Sequence, residues 1–278
     1  MWKSVDTVDD GIAHRGRAVV CGRVKTTRRT FIWGGRMLGV SRDGDVVTIE
    51  LQREERRNAL DRELVTLLRE AVLAAVADRA RVIVLTGRGP VFSAGADLSG
   101  VHSDDFLSSW METLRTIESV PCPVLSAVNG PAIGAGVQLA LASDLRVVAP
   151  EAYIAIPAAR LGITVDRWTV RRLVALIGGG PARAVLLGVE SVSAQDAHAF
   201  GFASRIGGLA EAQAWAQQIA ALAPLSLRHL KLVLNDEGAR DAETAQQRAA
   251  LEAAWLSEDA REGRLARQER RVAKFVGR

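Results

Sequence analysis

This 278-residue chain contains two short loops of small residues whose composition and position could support chemistry. Residues 130–136 read GPAIGAG; they follow a predicted strand and open a predicted helix, so their free backbone N–H groups could face an anion. Residues 94–98 read AGADL and also follow a predicted strand. The chemistry expected of such loops is the binding of negative charge by backbone donors.

The loop at 130–136 fits neither of the common phosphate-binding motifs. A Walker loop needs Lys and Ser or Thr after the glycines, where this sequence has Val137 and Gln138. A dinucleotide fingerprint needs a third glycine at position 139, which is Leu139. The remaining chemical interpretation is a pair of N–H groups, one from each loop, that form an oxyanion hole for a carbonyl oxygen. The alternative is that both loops are only tight turns that let helices pack closely.

The elements that must hold these loops alternate between strands and helices. After Asp61, the predicted N-cap, apolar residues recur at the spacing of an amphipathic helix. The other predicted elements are strands at 46–51, 82–85, 123–128 and 145–148, and helices at 104–118 and from about 133. This alternation indicates an α/β fold with a parallel sheet covered by helices. After residue 166 the pattern is nearly all helical.

The composition excludes several classes of protein. Hydrophobic residues make up 48% of the chain, but no run reaches the ~18 uncharged apolar residues of a membrane helix. Two cysteines cannot build a disulfide scaffold or a four-cysteine zinc site, and the four histidines include no pair at helical ligand spacing. We therefore expect a soluble, cytoplasmic protein with no metal, no secretory signal and no transmembrane segment.

The excess of positive charge is confined to the start of the chain. Residues 1–36 carry eight basic and three acidic side chains, whereas the net charge of the whole chain is +4. They are interpreted as a basic extension that is disordered or wrongly assigned, with Met37 as the true start. The alternative is an arm that contacts nucleic acid or a membrane surface. Aromatic residues make up only 5% of the chain, so base stacking is unsupported and no nucleic-acid partner is expected.

Five motifs, taken together and in order, resemble the enoyl-CoA hydratase/isomerase (crotonase) family. They are RRNAL at 56–60, FSAGADL at 92–98, AVNGPAIGAG at 127–136, SDLRVVA at 143–149 and SAQDA at 193–197. The resemblance extends over residues 38–275. It implies a crotonase spiral of ββα units at 37–222 and a helical C-terminal oligomerisation region at 223–278. In this family that region forms trimers, commonly paired into hexamers.

The resemblance also implies the ligand and the residues that hold it. The ligand is an acyl-CoA thioester, and no further cofactor is expected. Its carbonyl oxygen is held by the backbone N–H groups of Ala96 and Ala135, which would stabilise a developing enolate. The other positions that the resemblance places at the substrate are Ala94, Gly95, Leu98, Gly134, Gln138, Ala158 and Trp168.

The sequence departs from the hydratases of this family at both catalytic glutamates. The matching positions are Gln138 and Ala158. Hydration of a double bond needs a base that takes a proton from water and an acid that protonates the α-carbon. Neither glutamine nor alanine titrates. We therefore predict that hydratase activity is weak or absent while the oxyanion hole is retained.

Asp166 is the carboxylate that remains near these positions. Its register matches a proton-shuttling aspartate of the dienoyl-CoA isomerase branch, which makes it the candidate catalytic acid or base. The alternative is that Asp166 caps a helix or pairs with a neighbouring arginine. Trp168 either shortens the acyl pocket or packs at a helix interface. Arg53, Arg56 and Arg57 either contact CoA phosphates or lie on an exposed surface.

The sequence thus favours an acyl-CoA-binding protein of fatty acid and lipid metabolism. In this it is similar to mycobacterial members of the family that lack both glutamates and are associated with long-chain acyl-CoA. The alternative is an active enoyl-CoA hydratase or isomerase that uses Asp166 as its acid or base. A lyase label would follow from the family in either case, because such a label records the fold.

Overall fold

The computed structural model describes residues 29–33, 37–97, 104–235, 245–274 and 276. The strands in this part of the chain are β1 (Arg29–Trp33), β2 (Leu38–Asp43), β3 (Val46–Leu51), β4 (Val82–Gly87), β5 (Val124–Val128), β6 (Ala132–Ile133), β7 (Leu145–Val148), β8 (Tyr153–Ala155), β9 (Val192–Ser193) and β10 (Arg205–Ile206). The helices are α1 (Arg62–Ala77), α2 (Asp104–Ser119), α3 (Ala135–Ala142), α4 (Arg167–Ile177), α5 (Gly179–Leu186), α6 (Ala194–Ala199), α7 (Leu209–Ala220), α8 (Pro224–Leu234), α9 (Ala245–Leu256) and α10 (Glu258–Gln268).

Among the described residues, the main sheet has seven strands in the order β1-β2-β3-β4-β5-β7-β10. The first three pair antiparallel, and every later pairing is parallel. Every position of β4 and β5 is buried, as expected for parallel strands that helices cover on both faces. The parallel α/β sheet predicted from the apolar strands is therefore confirmed.

Helices α1, α2 and α3 follow successive strands and cover the sheet. Asp61 is the N-cap of α1, as predicted, and its side chain accepts a hydrogen bond from the Leu64 N–H at 2.9 Å. α1 buries one apolar stripe, whereas every residue of α3 is buried. The loop that leads into α3 is therefore held in the interior of the fold.

A second, smaller sheet holds the start of α3. β6 pairs parallel with β8, and β8 pairs antiparallel with β9. Between β6 and α3 lies Gly134, whose N–H donates to the Ala155 carbonyl of β8 at 2.9 Å. The small sheet thus fixes the direction in which α3 begins.

The main sheet begins earlier in the chain than the sequence predicted. β1 pairs with β2 along its whole length, although the predicted extension reached residue 36. Residues 30–33, TFIW, are good strand formers, but the surrounding basic residues obscured this pattern. Residues 1–28 and 34–36 of that predicted extension lie outside the described residues.

The chain after residue 166 is mostly helical, as predicted, apart from the short strands β9 and β10. α7 packs on the main sheet, where Ala212 and Ala216 share a buried cluster with Val46 of β3 and with Val82 and Val84 of β4. α8 differs, because Leu225 and Leu232 are 78% and 72% exposed. In the part of the chain that is described, no helix is long and apolar enough to cross a membrane.

Candidate functional site

The loop that carries Ala96 is fixed by a two-bond ladder to Leu60. The Leu60 N–H donates to the Gly95 carbonyl at 2.8 Å, and the Asp97 N–H donates to the Leu60 carbonyl at 2.8 Å. Backbone groups point to alternate sides of an extended segment. Because its two neighbours face Leu60, the N–H of Ala96 faces the opposite side, where Ala96 lines a cavity.

The second loop presents the N–H of Ala135 to the same cavity. Gly134 is the N-cap of α3 with φ +52°, and Ala135 is the first helical residue. The first N–H groups of a helix have no partner inside it, and they carry the positive end of the helix dipole. Within the described chain, neither the Ala96 N–H nor the Ala135 N–H donates to another protein group.

Two glycines allow these loops to touch through their backbones. A Cβ on Gly95 would lie 2.6 Å from the Ile133 carbonyl oxygen, and φ at Gly95 is +92°. A Cβ on Gly136 would lie 2.5 Å from the Ser93 carbonyl oxygen. Larger residues would therefore push the loops apart, and the two N–H groups with them. The loops do pack closely through their backbones, and the residues that carry the two N–H groups also line one cavity.

The cavity has a volume of about 540 Å³, within the usual range of about 300–1,000 Å³ for small-molecule sites. Helix α2 supplies an apolar stripe at i, i+4 spacing, formed by Phe106, Leu107, Trp110 and Met111. Further apolar lining comes from Ile156, Leu161, Ile163, Val165 and Trp255, whereas Arg267 of α10 is a cation at its wall. The cavity is thus suited to a hydrocarbon chain.

Gln138 is held in a buried cluster of hydrogen bonds. The Trp110 indole N–H donates to Gln138 Oε1 at 2.8 Å. Gln138 Nε2 donates to Asp166 Oδ2 at 3.0 Å and to Thr169 Oγ1 at 2.6 Å. Both ends of the amide are therefore engaged, and the side chain is only 9% exposed at the cavity.

Asp166 is the N-cap of α4, which is one of the two alternatives left open by the sequence. Its Oδ1 accepts from the Thr169 N–H at 3.0 Å, and its Oδ2 accepts from the Thr169 hydroxyl at 2.7 Å. With the bond from Gln138, the carboxylate receives three donors. Asp166 also borders the cavity, so its role in catalysis remains a prediction.

Ala158 lines the cavity just before the 3-10 helix Ala159–Leu161. It brings no titratable group to this position. Among the described residues that line the cavity, Asp166 is the one carboxylate. The structure therefore brings together Ala94, Gly95, Ala96, Gly134, Ala135, Gln138, Ala158 and Asp166 from the residues that the sequence suggested. Leu98 lies outside the described residues.

Trp168 does not reach the cavity, so the suggestion that it shortens the acyl pocket was wrong. Its side chain is buried, and its indole N–H donates to Glu118 Oε1 of α2 at 2.9 Å. Asp166 borders the cavity, whereas Trp168 is not among the residues that line it. Trp168 packs at a helix interface, which was the other alternative.

The three arginines that were candidates for CoA phosphates occupy different environments. Arg53 is 14% exposed and lies 3.0 Å from the carboxylates of both Asp61 and Asp97. Its charge is therefore already balanced, which argues against a phosphate contact. Arg56 and Arg57 are exposed, in agreement with the alternative of a solvated surface.

Sequence reasoning missed Trp110, which holds Gln138. The i, i+4 stripe of α2 was visible in the sequence, but it indicates a buried face without saying what that face contacts. Arg267 and Trp255 were missed because they reach the cavity from the C-terminal helices, which are distant in sequence from the loops.

Two groups with shifted pKa values lie away from the cavity. Burial raises the pKa of the Cys122 thiol, although the nearby Lys231 partly opposes this effect. At the C-terminus, hydrogen bonds from Arg271 lower the pKa of Glu262 to about 2. The described residues contain no cluster of three or more potential metal ligands.

Comparison with known proteins gives a consistent result. The family model for enoyl-CoA hydratase/isomerase matches residues 41–278. The probable enoyl-CoA hydratase echA6 of Mycobacterium leprae is 50% identical over 246 residues, which cover 87% of this chain and 100% of that protein. The 2,3-dehydroadipyl-CoA hydratase of Escherichia coli is 33% identical and covers 86% of this chain and 98% of its own length. A crystal structure of an enoyl-CoA hydratase/isomerase from Pseudoalteromonas atlantica has a TM-score of 0.79 at 27% identity, over 86% of this chain and 100% of that chain.

Proposed function

Since the chain belongs to the enoyl-CoA hydratase/isomerase (crotonase) family, as its motifs predicted, we propose that it binds acyl-CoA thioesters and has little or no hydratase activity. The observation that carries this proposal is the pair of N–H groups at Ala96 and Ala135. They belong to loops in backbone contact, line the same cavity and, among the described residues, donate to no protein group. A thioester oxygen is an acceptor that would satisfy both.

The apolar character of the cavity supports an acyl chain as the other part of the ligand. The stripe on α2 and the residues around Ile163 offer hydrocarbon contacts, and burial of a hydrocarbon chain stabilises a complex by roughly 0.8 kcal/mol per methylene. A role in fatty acid and lipid metabolism fits such a ligand.

The side chains at the cavity support the absence of hydration. Gln138 cannot titrate, and its amide is engaged with Trp110, Asp166 and Thr169. Ala158 has no functional group. A water molecule at this cavity would therefore meet no free base, and the α-carbon of an enoyl group would meet no free acid.

A second candidate function is supported by the position of Asp166 at the cavity wall. An isomerase or a residual hydratase would use its carboxylate as acid or base. Three donors among the described residues leave one acceptor site of the carboxylate open, on Oδ1, because an ionised carboxylate has about four such sites, and the second function would use that site.

We also propose that the protein forms a homotrimer, or a hexamer of two trimers, through its C-terminal helices. The support is the apolar surface of α8, where Leu225, Leu232 and Leu234 are 78%, 72% and 68% exposed. An exposed apolar helix face of this kind commonly marks a protein–protein contact.

Two measurements on the same preparation test the proposed function. Long-chain saturated acyl-CoA is titrated into the protein by calorimetry, and enoyl-CoA of short and long chain length is followed by ultraviolet absorbance. Tight binding without loss of the enoyl absorbance is expected. Rapid turnover that disappears in Asp166→Asn would favour the second candidate, and absence of binding would contradict both.

A further inference from the structure

Arg53 lies where helix α1 meets the loop that carries Ala96. Its Nη1 is 3.0 Å from Asp61 Oδ2 and 3.0 Å from Asp97 Oδ2. Asp61 is the N-cap of α1, and Asp97 directly follows Ala96. One guanidinium therefore bridges two carboxylates from different elements. Without this cation, the two negative charges would repel each other.

The backbone of Arg53 is itself fixed by Asn58. The Arg53 N–H donates to Asn58 Oδ1 at 3.0 Å, and the Arg53 carbonyl accepts from the Asn58 N–H at 2.8 Å. Asn58 is fully buried, and its Nδ2 donates to the carbonyls of Arg88 and Val91, at the start of the same loop. Asn58 thus links the backbone of Arg53 to the beginning of the loop. The guanidinium of Arg53 contacts Asp97 at the end of the same loop.

We propose that Arg53 is a positioning residue for the Ala96 N–H and that it acts through Asp97. This inference rests on the proposed function, in which that N–H binds the thioester oxygen. The Leu60 ladder restrains the loop through its backbone, and the ion pair of Arg53 with Asp97 restrains the residue that follows Ala96 through a side chain. Because hydrogen bonds weaken steeply at unfavourable angles, a small rotation of the Gly95–Ala96 peptide, which carries the Ala96 N–H, reduces its interaction with a carbonyl oxygen.

The test compares two ligands of equal chain length. One is an acyl-CoA thioester, and the other is its thioether analogue, in which a methylene group replaces the carbonyl group. The ratio of their affinities, measured by calorimetry, reports the contacts to the carbonyl oxygen and cancels the contacts to CoA and to the hydrocarbon chain. It is measured for the unchanged protein, Arg53→Met, Arg53→Lys and the control Arg42→Met.

Arg42 is a matched control because it also pairs with an aspartate beside α1. It lies 2.7 Å from Asp78, which follows the C-terminus of the helix. Its loss removes an arginine ion pair without touching either loop of the cavity, so any general effect of such a loss appears in this variant.

The unchanged protein is expected to prefer the thioester. Arg53→Met should reduce that preference on the order of tenfold, the equivalent of about one hydrogen bond, with thioether affinity unchanged. Arg42→Met should retain the full preference. In Arg53→Lys, the preference for the thioester should lie between those of Arg53→Met and the unchanged protein, because an ammonium group lacks the planar fork of a guanidinium. The infrared carbonyl stretch of the bound thioester should move towards its free value in Arg53→Met.

Each outcome decides between the two proposals. If Arg53→Met keeps the full thioester preference and carbonyl stretch, the positioning role is overturned while the proposed function stands. If the unchanged protein shows no thioester preference, the proposed function is contradicted, and the role of Arg53 is contradicted with it. If Arg53→Met does not fold, the Arg53→Lys variant provides the test. A full preference for the thioester in that variant would overturn the positioning role of Arg53.

Discussion

The two sides of the cavity differ in the chemical groups that they present. On the backbone side lie the N–H groups of Ala96 and Ala135, which need no particular side chain. On the side-chain side lie Gln138, Ala158 and Asp166, whose chemistry depends entirely on residue type. The backbone side offers two N–H donors that bond to no described protein group, whereas the side-chain side offers one carboxylate that is already hydrogen-bonded to Thr169 and Gln138.

Ligand binding and acid–base catalysis at this cavity depend on different features of the chain. The backbone side depends on glycines that let two loops touch, and it survives substitution of any residue that keeps the loops in place. The acid and base of a hydratase depend on two side chains, so two substitutions can remove them and leave the cavity intact. Binding and hydration should therefore respond independently to mutation.

The largest effect is expected when both acid–base groups are supplied to the side-chain side. In Gln138→Glu/Ala158→Glu, each group should raise the rate of hydration on the order of 10²–10⁴-fold, measured as loss of enoyl absorbance. A glutamate at 138 would face the Asp166 carboxylate and be repelled by it. A further variant therefore adds Asp166→Asn to the two glutamates to remove this repulsion.

The control for this prediction is Gln138→Glu/Ala158→Gln, which has similar side-chain volumes but a single added carboxylate. It should hydrate much more slowly than the double-glutamate variant. A double-glutamate variant that binds acyl-CoA normally and hydrates no faster than the parent would contradict the proposal that Gln138 and Ala158 limit hydration.

The next effect is expected when the backbone side is distorted. Gly95→Ala forces a Cβ to within 2.6 Å of the Ile133 carbonyl oxygen at φ +92°. Strain and overpacking together should lower the free energy of unfolding by roughly 2–5 kcal/mol. Thioester affinity should fall at the same time, because the two N–H groups separate.

Gly44 provides a matched control, because its φ is +57° and a Cβ there meets no atom within 4 Å. Gly44→Ala should lower the free energy of unfolding in a urea titration by about 1 kcal/mol and leave thioester affinity unchanged. Equal losses of stability and affinity in the two variants would contradict the special role of the loop contact.

A smaller effect is expected at the hydrogen bond that holds Gln138. Trp110→Phe removes the indole N–H and leaves Gln138 Oε1 buried without that donor, which should cost about 1–3 kcal/mol of stability. Acyl-CoA affinity should also change, since Trp110 lines the cavity. Trp168→Phe removes a second buried indole donor at a distance from the cavity, so it should cost stability but leave affinity unchanged. A change in affinity in both variants would place Trp168 in contact with the site.

The smallest effect is expected for Asp166→Asn. Asparagine caps helices as well as aspartate does, so the free energy of unfolding should change by about 1 kcal/mol or less. Acyl-CoA affinity should be retained, and any hydratase activity of the parent should be unchanged. A loss of measurable turnover in this variant, at unchanged stability, would assign Asp166 the catalytic role.

The features that could be predicted from the sequence are those encoded within one segment. The apolar strands predicted the parallel sheet, and Asp61 followed by helical spacing predicted α1 and its cap. The motifs around Ala96 and Ala135 predicted which loops border the cavity. In these cases a local rule on turns, caps or periodicity corresponds directly to the structure.

The features that could not be predicted depend on which elements meet in space. Trp110 contacts Gln138 across 28 positions in the chain, and Arg53 contacts Asp97 across 44. Nothing in the spacing of these residues indicates such a contact. Trp168 was misplaced because the sequence shows its position close to Asp166 along the chain but not the face of α4 on which its side chain lies.

Under the proposed function, the cavity holds an enoyl thioester without hydrating it. A single-turnover experiment tests this, in which enoyl-CoA is mixed with an excess of protein and its binding and enoyl absorbance are followed in the same sample. The ligand is expected to become fully bound while the absorbance persists. Rapid loss of the absorbance in the bound ligand would contradict it and would show that Asp166 or another group replaces the missing glutamates.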